Sequence, residues 1–279
     1  MSSLDRMLTI LDLFDESRMS IQLEHAVQAT GASKATAYRY IQSLCNRGLL
    51  APAAEGSYVL GPRIIELDRL VRKMDPLLTS ASPMIRAASE RLGTNIMLCS
   101  FYGDKVMCAD LAWPDRSVEE IYERGRPMPL FRGAMAKIIL ANLTPYQLRS
   151  IMLWHGERIR DAGLGDNWDD FRSRMTKLRR AGFCVSRGEV FNALVGISAP
   201  IFDAEQRVLG SVVFVVPEAR YDARQDVPYQ DEIVALSTAI TADIARRMPK
   251  SLAGASRAAR PRKARLIEPA QDDAEKATI

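Results

Sequence analysis

The segment 20–50, SIQLEHAVQATGASKATAYRYIQSLCNRGLL, constrains the fold of this chain more than any other part of the sequence. Apolar residues recur at helical spacing on both sides of Gly31, and glycine is the residue best able to end a helix in the left-handed conformation. Ser20 is the predicted N-cap of the first helix. Ser33 is the predicted N-cap of the second, because its side chain can accept a hydrogen bond from the backbone N–H of Thr36. The pattern predicts two short helices that meet at a tight turn.

The second helix has one apolar face and one polar face. Ala37, Ile41 and Leu44 recur at i, i+4 and i+7 and are expected to face a core. Cationic, hydroxyl and amide side chains in this region, with one more cation downstream, are Ser33, Lys34, Thr36, Tyr38, Arg39, Gln42 and Arg63. Such groups near the N-terminal half of a helix are typical of the recognition helix of a helix-turn-helix module, which contacts base edges and phosphates. We predict that these residues bind DNA.

The flanking segments favour a winged helix-turn-helix over a helical hairpin inside a core. Apolar residues at helical spacing predict an upstream helix; they are Leu4, Met7, Leu8, Leu11 and Phe14. A turn over 51–56 and the strand SYVL over 57–60 predict a two-stranded wing. Residues 1–61 are therefore the predicted DNA-binding domain. A linker helix is predicted over 62–75 because Pro62 fits a first helical turn, and a second subunit often packs on such a helix.

Residues 76–248 have the pattern of an α+β domain, so the chain as a whole is predicted to be multi-domain. Helices are predicted over 76–92, 133–143, 145–155, 168–181 and 233–248. Strands are predicted over 94–101, 105–112, 183–189, 194–202 and 207–216, and the last of these reads as a central strand covered on both faces. Residues 249–279 have a composition that supports no core and are predicted to form a disordered tail.

Composition limits the classes of function. The 279-residue chain has no apolar run close to the roughly 20 residues that span a membrane, and its start lacks a signal-peptide pattern, so we expect a cytoplasmic protein. Residues 1–73 carry nine Lys or Arg against eight Asp or Glu. The net charge of this region is therefore only +1, so contacts with phosphates must come from a few individually positioned cations and not from a broad basic surface. Residues 250–265 hold six cations and no acid, which offers non-specific affinity for phosphates.

Little in the sequence favours catalysis. The four cysteines contain no C-x-x-C pair, and the two histidines lie in different predicted domains. The motifs G-x-S-x-G and G-x-x-x-x-G-K are absent. Cys108 near Asp110, or Cys184 near Glu189, stays open as a nucleophile with a helper, although packed thiols are the favoured interpretation. We expect no catalytic residue, no metal and no cofactor.

Across residues 2–248 the sequence resembles the IclR family of bacterial transcriptional regulators. The resemblance lies in SSLDRMLTILDLF, GASKATAYRYIQSLCNRGLL, YVLGPRIIEL, RGRPMPLFRGAMAKIILA, RRAGFCVSRGE and VGISAPIFDAEQRVLGSV, which stand in the family's order and spacing. It implies a winged helix-turn-helix, a linker helix and a GAF-like effector-binding domain. It also implies homodimers or homotetramers that bind operator DNA of catabolic operons. The wing tip at 53–56 departs from the family because it lacks a cation, which puts a minor-groove contact by the wing in doubt.

The resemblance places an effector pocket between the start of the helix near residue 134 and the neighbouring strands. The candidate effector-binding residues are Met97, Cys99, Met128, Gly133, Ala134, Ser186, Gly196, Val213 and Val215. Met97, Cys99 and Met128 fit an ordinary core equally well. The smaller and more apolar positions Ser186, Gly196, Val213 and Val215 favour a larger, partly aromatic organic acid over an acid of two or three carbons. Arg126, Arg132 or Arg187 could hold the carboxylate of such a ligand, although an arginine there is more often solvated or paired with an acid.

The sequence thus leaves three functions open. The favoured one is a ligand-responsive DNA-binding transcriptional regulator, with repression and activation both open. The second is a metabolite-binding protein whose winged helix contacts proteins instead of DNA. The third, an enzyme, has the least support because the chain offers so few candidate catalytic groups.

Overall fold

The structure of the chain is a computed structural model that describes residues 2–116, 118, 122–223 and 228–247. The chain divides into two compact units, Met1–Asp75 and Pro76–Ile279. The tail predicted over 249–279 lies outside the described residues, as does Met248 at the predicted end of the last helix. Within the described ranges, no helix is both long and apolar enough to cross a membrane.

The first unit is mainly helical and ends in a hairpin and one further helix. Its elements are α1 (Ser3–Leu8), a 3₁₀ helix (Thr9–Leu13), α2 (Leu23–Thr30), α3 (Lys34–Asn46), β1 (Leu50–Pro52), β2 (Tyr58–Leu60) and α4 (Arg63–Met74). Strands β1 and β2 are antiparallel. This order of elements confirms the winged helix-turn-helix that the sequence predicts.

Local sequence accounts for the turn between α2 and α3. Gly31 adopts a φ of 63° and ends α2 in the left-handed conformation. Ser33 Oγ accepts a hydrogen bond from the backbone N–H of Thr36 at 3.3 Å. The core of the unit is formed by Ile10, Ile21, Ala26, Ala37, Ile41, Leu44 and Leu50. The apolar face of α3 is therefore buried as its spacing predicts.

The start of α2 differs from the prediction. Its N-cap is Gln22 instead of Ser20. The reason is that Ile21 pairs with the wing, because Ile21 and Tyr58 exchange backbone hydrogen bonds of 2.9 and 2.8 Å. A residue held in a β-bridge cannot also lie in the first turn of a helix. The turn of the wing is also shorter than the predicted 51–56, since Ala51 and Pro52 belong to β1.

The N-terminal helix differs as well. The sequence pattern assumes one continuous α-helix, but the chain changes to a 3₁₀ helix at Thr9. This change brings Ile10 into the core and leaves Leu4 and Leu8 at 69% and 40% exposure. Two residues of the predicted apolar stripe therefore lie at the surface.

The second unit contains one antiparallel sheet with helices on both sides. Its elements are α5 (Pro76–Leu92), β3 (Asn95–Tyr102), β4 (Lys105–Ala112), β5 (Pro127–Met128), α6 (Ala134–Ala141), α7 (Pro145–Asp161), α8 (Trp168–Ala181), β6 (Cys184–Arg187), β7 (Leu194–Phe202), β8 (Val208–Pro217), α9 (Glu218–Ala223) and α10 (Tyr229–Arg247). The six strands form one antiparallel sheet in the order β5-β4-β3-β8-β7-β6. The predicted α+β class is confirmed.

The sheet separates two apolar cores. Val213 and Val215 of β8 pack in the core that includes α6, α7 and α8. Val212 and Phe214 pack in the opposite core, which includes α5 and α10. Strand β8 is thus central and covered on both faces, as its continuous apolar run predicts.

Three elements of this unit were not predicted, or not to their full extent. Residues Pro127 and Met128 form β5 by pairing with β4, where the sequence predicts no strand. Helix α9 was not predicted. Helix α7 continues to Asp161 past its expected end at His155, where the backbone departs from helical geometry with φ −131° and ψ 26°.

Candidate functional site

The polar face of α3 lies at the surface of the first unit. Ser33, Lys34 and Arg39 are exposed, and Tyr38 is 48% exposed, so its ring is not buried against the wing. Thr36 is half-buried and accepts a hydrogen bond from Arg39 Nη2 at 3.3 Å. The N-terminal half of α3 therefore presents two cations, an aromatic ring and hydroxyl groups to solvent.

Both cations have a partner, which is a carboxylate for Lys34 and a hydroxyl for Arg39. Lys34 Nζ lies 3.3 Å from Glu24 Oε1, but both side chains are more than half exposed. An ion pair of this kind contributes little, so the Lys34 ammonium stays available to a phosphate. Arg39 donates to a neutral hydroxyl instead of a carboxylate. The surface can thus accept phosphate oxygens at two places along one helix.

The remaining predicted DNA-binding residues are placed less directly. Gln42 is half-buried and hydrogen-bonds Tyr58 on β2; burial raises the pKa of Tyr58, and this hydrogen bond opposes the rise. Arg63 is not on α3. It begins α4, where its backbone N–H donates to Gly48 carbonyl oxygen at 3.0 Å and its guanidinium pairs with Glu66.

A small cavity lies in the second unit between the start of α6, the sheet and the segment that joins β6 to β7. Seven of the predicted effector-binding residues line it; they are Met97, Gly133, Ala134, Ser186, Gly196, Val213 and Val215. Cys99 and Met128 do not. Both are buried among the residues of the core that includes α6, α7 and α8, which is the alternative that the sequence left open for them.

Other side chains fill much of the space that the small wall residues leave. The lining residues that sequence reasoning missed are Tyr122, Met135, Glu189, Val190, Phe191 and Leu194. The ring of Tyr122 contacts Phe191 edge-on at 5.1 Å and Trp113 in a tilted arrangement at 5.5 Å. The volume left is about 20 Å³, which is room for about one water molecule. The roomy pocket expected from the sequence is therefore closed by the chain's own aromatic side chains.

The polar groups of the cavity gather at the first turn of α6. Ser186 Oγ accepts a hydrogen bond from Ala134 N–H at 2.9 Å. Glu189 Oε2 accepts one from Gly133 N–H at 3.0 Å, and its other carboxylate oxygen pairs with Lys137 Nζ. The positive end of the helix dipole and one ammonium thus face one carboxylate.

The three arginines considered for a ligand carboxylate are not among the residues that line this cavity. Arg187 pairs with Glu218 at 2.9 Å and with Asp222 at 3.0 Å, and it stacks over Tyr221. It is therefore paired with acids, as the alternative reading of the sequence held.

The thiols considered as nucleophiles are not activated. Burial raises the pKa of Cys108 to about 12, and the nearby Asp110 adds to the rise. Burial likewise raises the pKa of Cys184 to about 11. An activated cysteine has a lowered pKa, so the environment of both thiols acts against nucleophilic attack. In the part of the chain that the structure describes, no three His, Cys, Asp or Glu side chains are grouped to hold a metal ion.

Two family models match this chain. The model of the bacterial transcriptional regulator IclR C-terminal domain matches residues 69–242, and the IclR helix-turn-helix domain matches residues 3–53. The chain belongs to the IclR family. The helix-turn-helix match covers α1 to α3, and the C-terminal match covers the whole sheet of the second unit, so α3 and the cavity lie within IclR domains, whereas Arg63 lies between the two matches.

Relatives of known role agree with this membership. The HTH-type transcriptional regulator KipR of Bacillus subtilis is 25% identical over 227 residues, which is 81% of this chain and 90% of KipR. The Pca regulon regulatory protein of Pseudomonas putida is 24% identical over 213 residues, covering 76% of this chain and 73% of that protein. The crystal structure of an IclR homolog from Microbacterium hydrocarbonoxydans complexed with 4-hydroxybenzoate has a TM-score of 0.67, with 19% identity over 88% of this chain and all of the homolog. The chain is thus an IclR-family DNA-binding transcriptional regulator.

Thiol reactivity tests the electrostatics of the second unit. We predict that native protein at pH 7 reacts slowly with iodoacetamide at Cys108 and Cys184, because a pKa raised from 9.0 to about 12 lowers the thiolate fraction of Cys108 about a thousandfold. The measurement is mass spectrometry of the labelled peptides over time. Protein unfolded in guanidinium is the control, in which all four cysteines should react. Fast, selective labelling of either residue in the native protein would instead identify an activated thiolate.

Proposed function

We propose that this regulator binds operator DNA of a catabolic operon as a homodimer, or as a homotetramer made of two such dimers, and that a small organic acid bound in the cavity of the second unit changes its operator affinity. The observation that carries the DNA-binding part is the exposed cationic face of α3 beside a two-stranded wing. We propose as DNA contacts Ser33, Lys34, Thr36, Tyr38, Arg39, Gln42 and Arg63.

The recognition helix of such a module enters the major groove of DNA with its N-terminal residues toward the bases. Arg39 is the residue best suited to a bidentate contact with a guanine or to a phosphate, because its side chain is exposed and its guanidinium donates to the neutral hydroxyl of Thr36. In a dimer, two such helices would read half-sites about 34 Å apart in successive major grooves. The operator is therefore expected to be a pseudo-palindrome.

The apolar side of α4 supports the proposed dimer. None of the residues of this helix is buried in the chain. Its exposed apolar side chains include Ile64, Leu67, Leu70, Val71 and Met74, which recur at helical spacing on one side. A continuous apolar row of this kind in water is typical of a helix that packs against another subunit. We propose a second copy of α4 as that partner.

The proposed ligand is an organic acid with an aromatic ring. The first turn of α6 and Lys137 provide the positive charge that a carboxylate requires. Tyr122, Phe191 and Met135 provide apolar and aromatic surface around it. The binding of 4-hydroxybenzoate by the structural homolog supports an aromatic acid. The protein then acts by binding and not by catalysis, in the cytoplasm where bacterial operators lie.

Operator binding tests the role of α3. The variant Arg39→Ala should weaken binding of the operator by about 1–3 kcal/mol, because one specific contact to a base or phosphate is lost. The measurement is fluorescence anisotropy with the chain's own upstream DNA and an unrelated duplex. Arg72→Ala, which removes an exposed cation of α4 paired with Asp68, is the matched control and should bind normally. Equal affinity of all three proteins for the operator would contradict the assignment of α3.

Blocking the cavity tests the ligand response. In wild-type protein, one acid of a panel that includes 4-hydroxybenzoate should change operator affinity. Gly196→Val should abolish this response and leave the affinity without acid unchanged, because a Cβ at Gly196 already lies 3.2 Å from Ser186 Oγ and a larger side chain enters the remaining volume. The same titration with and without acid measures both quantities. A variant that still responds fully would show that the acid binds elsewhere.

Sedimentation equilibrium tests the proposed dimer. Val71→Glu should shift full-length protein toward the monomer, because it places a charge in the apolar row of α4. Ile65→Glu is the matched control, because Ile65 is 74% exposed and projects about 100° away from Ile64 around the helix. The control should associate like the wild type. If the two variants associate equally, α4 is not the contact between subunits.

A further inference from the structure

The carboxylate of Glu189 occupies the place in the cavity where an acid ligand would be held. It accepts a hydrogen bond from Gly133 N–H at 3.0 Å and pairs with the ammonium of Lys137. Both partners belong to the first turn of α6 or precede it directly. Backbone N–H groups at a helix start and a neighbouring lysine are what holds a carboxylate in many proteins. Here that carboxylate comes from the chain itself.

The pair is shielded enough to hold the segment that carries it. The side chains of Lys137 and Glu189 are 15% and 31% exposed. A charge-assisted hydrogen bond in such surroundings is stronger than an exposed ion pair. The exposed part of Glu189 also means that its carboxylate can return to water without crossing a core.

The segment 188–193 is fixed at its two ends and lies over the cavity between them. Gly188 N–H donates to Leu194 carbonyl oxygen at 2.9 Å, and Glu218 N–H donates to Ala193 carbonyl oxygen at 2.8 Å. Gly188 and Ala193 both adopt a left-handed φ, of 62° and 61°. These contacts close the segment into a compact loop that can move about its ends.

The middle of this loop closes the cavity. Val190 and Phe191 line it. Val190 packs so closely on the start of α6 that a Cβ at Gly133 would meet Val190 Cγ2 at 2.8 Å. Phe191 lies edge-on against Tyr122. Since Glu189 precedes these two residues, its release from α6 would draw both of them away from the remaining volume of about 20 Å³.

We propose that Glu189 is an internal substitute for the effector. An entering acid replaces the Glu189 carboxylate at Gly133 N–H and Lys137, and the loop 188–193 moves outward with Glu189. The exchange leaves Lys137 paired and the amide hydrogen-bonded, because one carboxylate takes the place of another. An uncharged ligand cannot replace the Glu189 carboxylate as the ionic partner of Lys137, so the exchange favours acids over uncharged ligands. This inference rests on the proposed function of the cavity.

The expected effect follows from a closed and an open state of the loop. Ligand affinity is reduced by the fraction of protein that is open, so weakening the closed state raises the apparent affinity. Glu189→Gln keeps the size of the side chain but removes its charge, and should tighten binding of an acid about tenfold if the closed state dominates by that factor. Adding Lys137→Met to Glu189→Gln should remove the gain, because the ammonium that attracts the acid is lost.

The experiment uses full-length protein and two measurements. Isothermal titration with 4-hydroxybenzoate, benzoate and pyruvate measures affinity in the wild type, in Glu189→Gln and in the double variant. Hydrogen exchange measures protection of residues 188–194 and of the start of α6 without any ligand. Asp222→Asn is the matched control, because it removes a carboxylate that pairs with Arg187 beside the same loop and not with α6. Exchange should accelerate in Glu189→Gln and stay unchanged in Asp222→Asn.

Three results would overturn the inference. The first is that hydrogen exchange of the loop is the same in Glu189→Gln as in the wild type. The second is that hydrogen exchange is faster in Glu189→Gln but the variant binds acids no more tightly. The third is that no acid of the panel binds either the wild type or Glu189→Gln. The proposed function fails separately. If acids bind as expected but do not change operator affinity, the regulatory role is wrong and the internal substitute stands. If an acid changes the operator affinity of the wild type and of Glu189→Gln at the same acid concentration, only the internal substitute is wrong.

Discussion

The register of β8 is the constraint on which the second unit depends. This strand is bonded to β3 on one side and to β7 on the other, and its side chains enter two different cores in alternation. Val213 therefore borders the cavity, whereas Phe214 packs against the opposite layer. A shift of one residue would exchange the two and place a phenyl ring where the small wall now lies. The position of α6 and the shape of the cavity follow from this alternation.

Local patterns predicted most of the fold. Gly31 and Ser33 act within a few residues of their own positions, and both behave as their chemistry indicates. The failures depend on partners that are distant in sequence. Ile21 leaves the helix because it pairs with Tyr58, and a strand of two residues such as β5 has no periodicity to detect. Hydrophobic spacing reports which face is buried, but not which backbone groups will meet.

Less of the candidate site than of the fold could be predicted from the sequence. Small residues such as Gly196 indicate a space but do not say what fills it. The side chains that do so, Tyr122 and Phe191, lie outside regular elements, where no pattern fixes their direction. Glu189 was considered only as a helper of Cys184. Its partners in the structure are the amide of Gly133 and the ammonium of Lys137, 56 and 52 residues away, and only the folded chain brings them together.

In the proposed dimer, the exposed apolar row of α4 would make the activity of this regulator depend on its concentration in the cell. In the proposed dimer these side chains are shielded only while two chains stay together, and dilution separates them. Where monomers predominate, the amount of dimer rises with the square of the total amount of protein, so a twofold rise in synthesis gives about a fourfold rise in dimer. Occupancy of an operator then changes more steeply than expression does. An apolar surface that is unfavourable in the isolated chain would thus make operator occupancy depend more steeply on protein concentration.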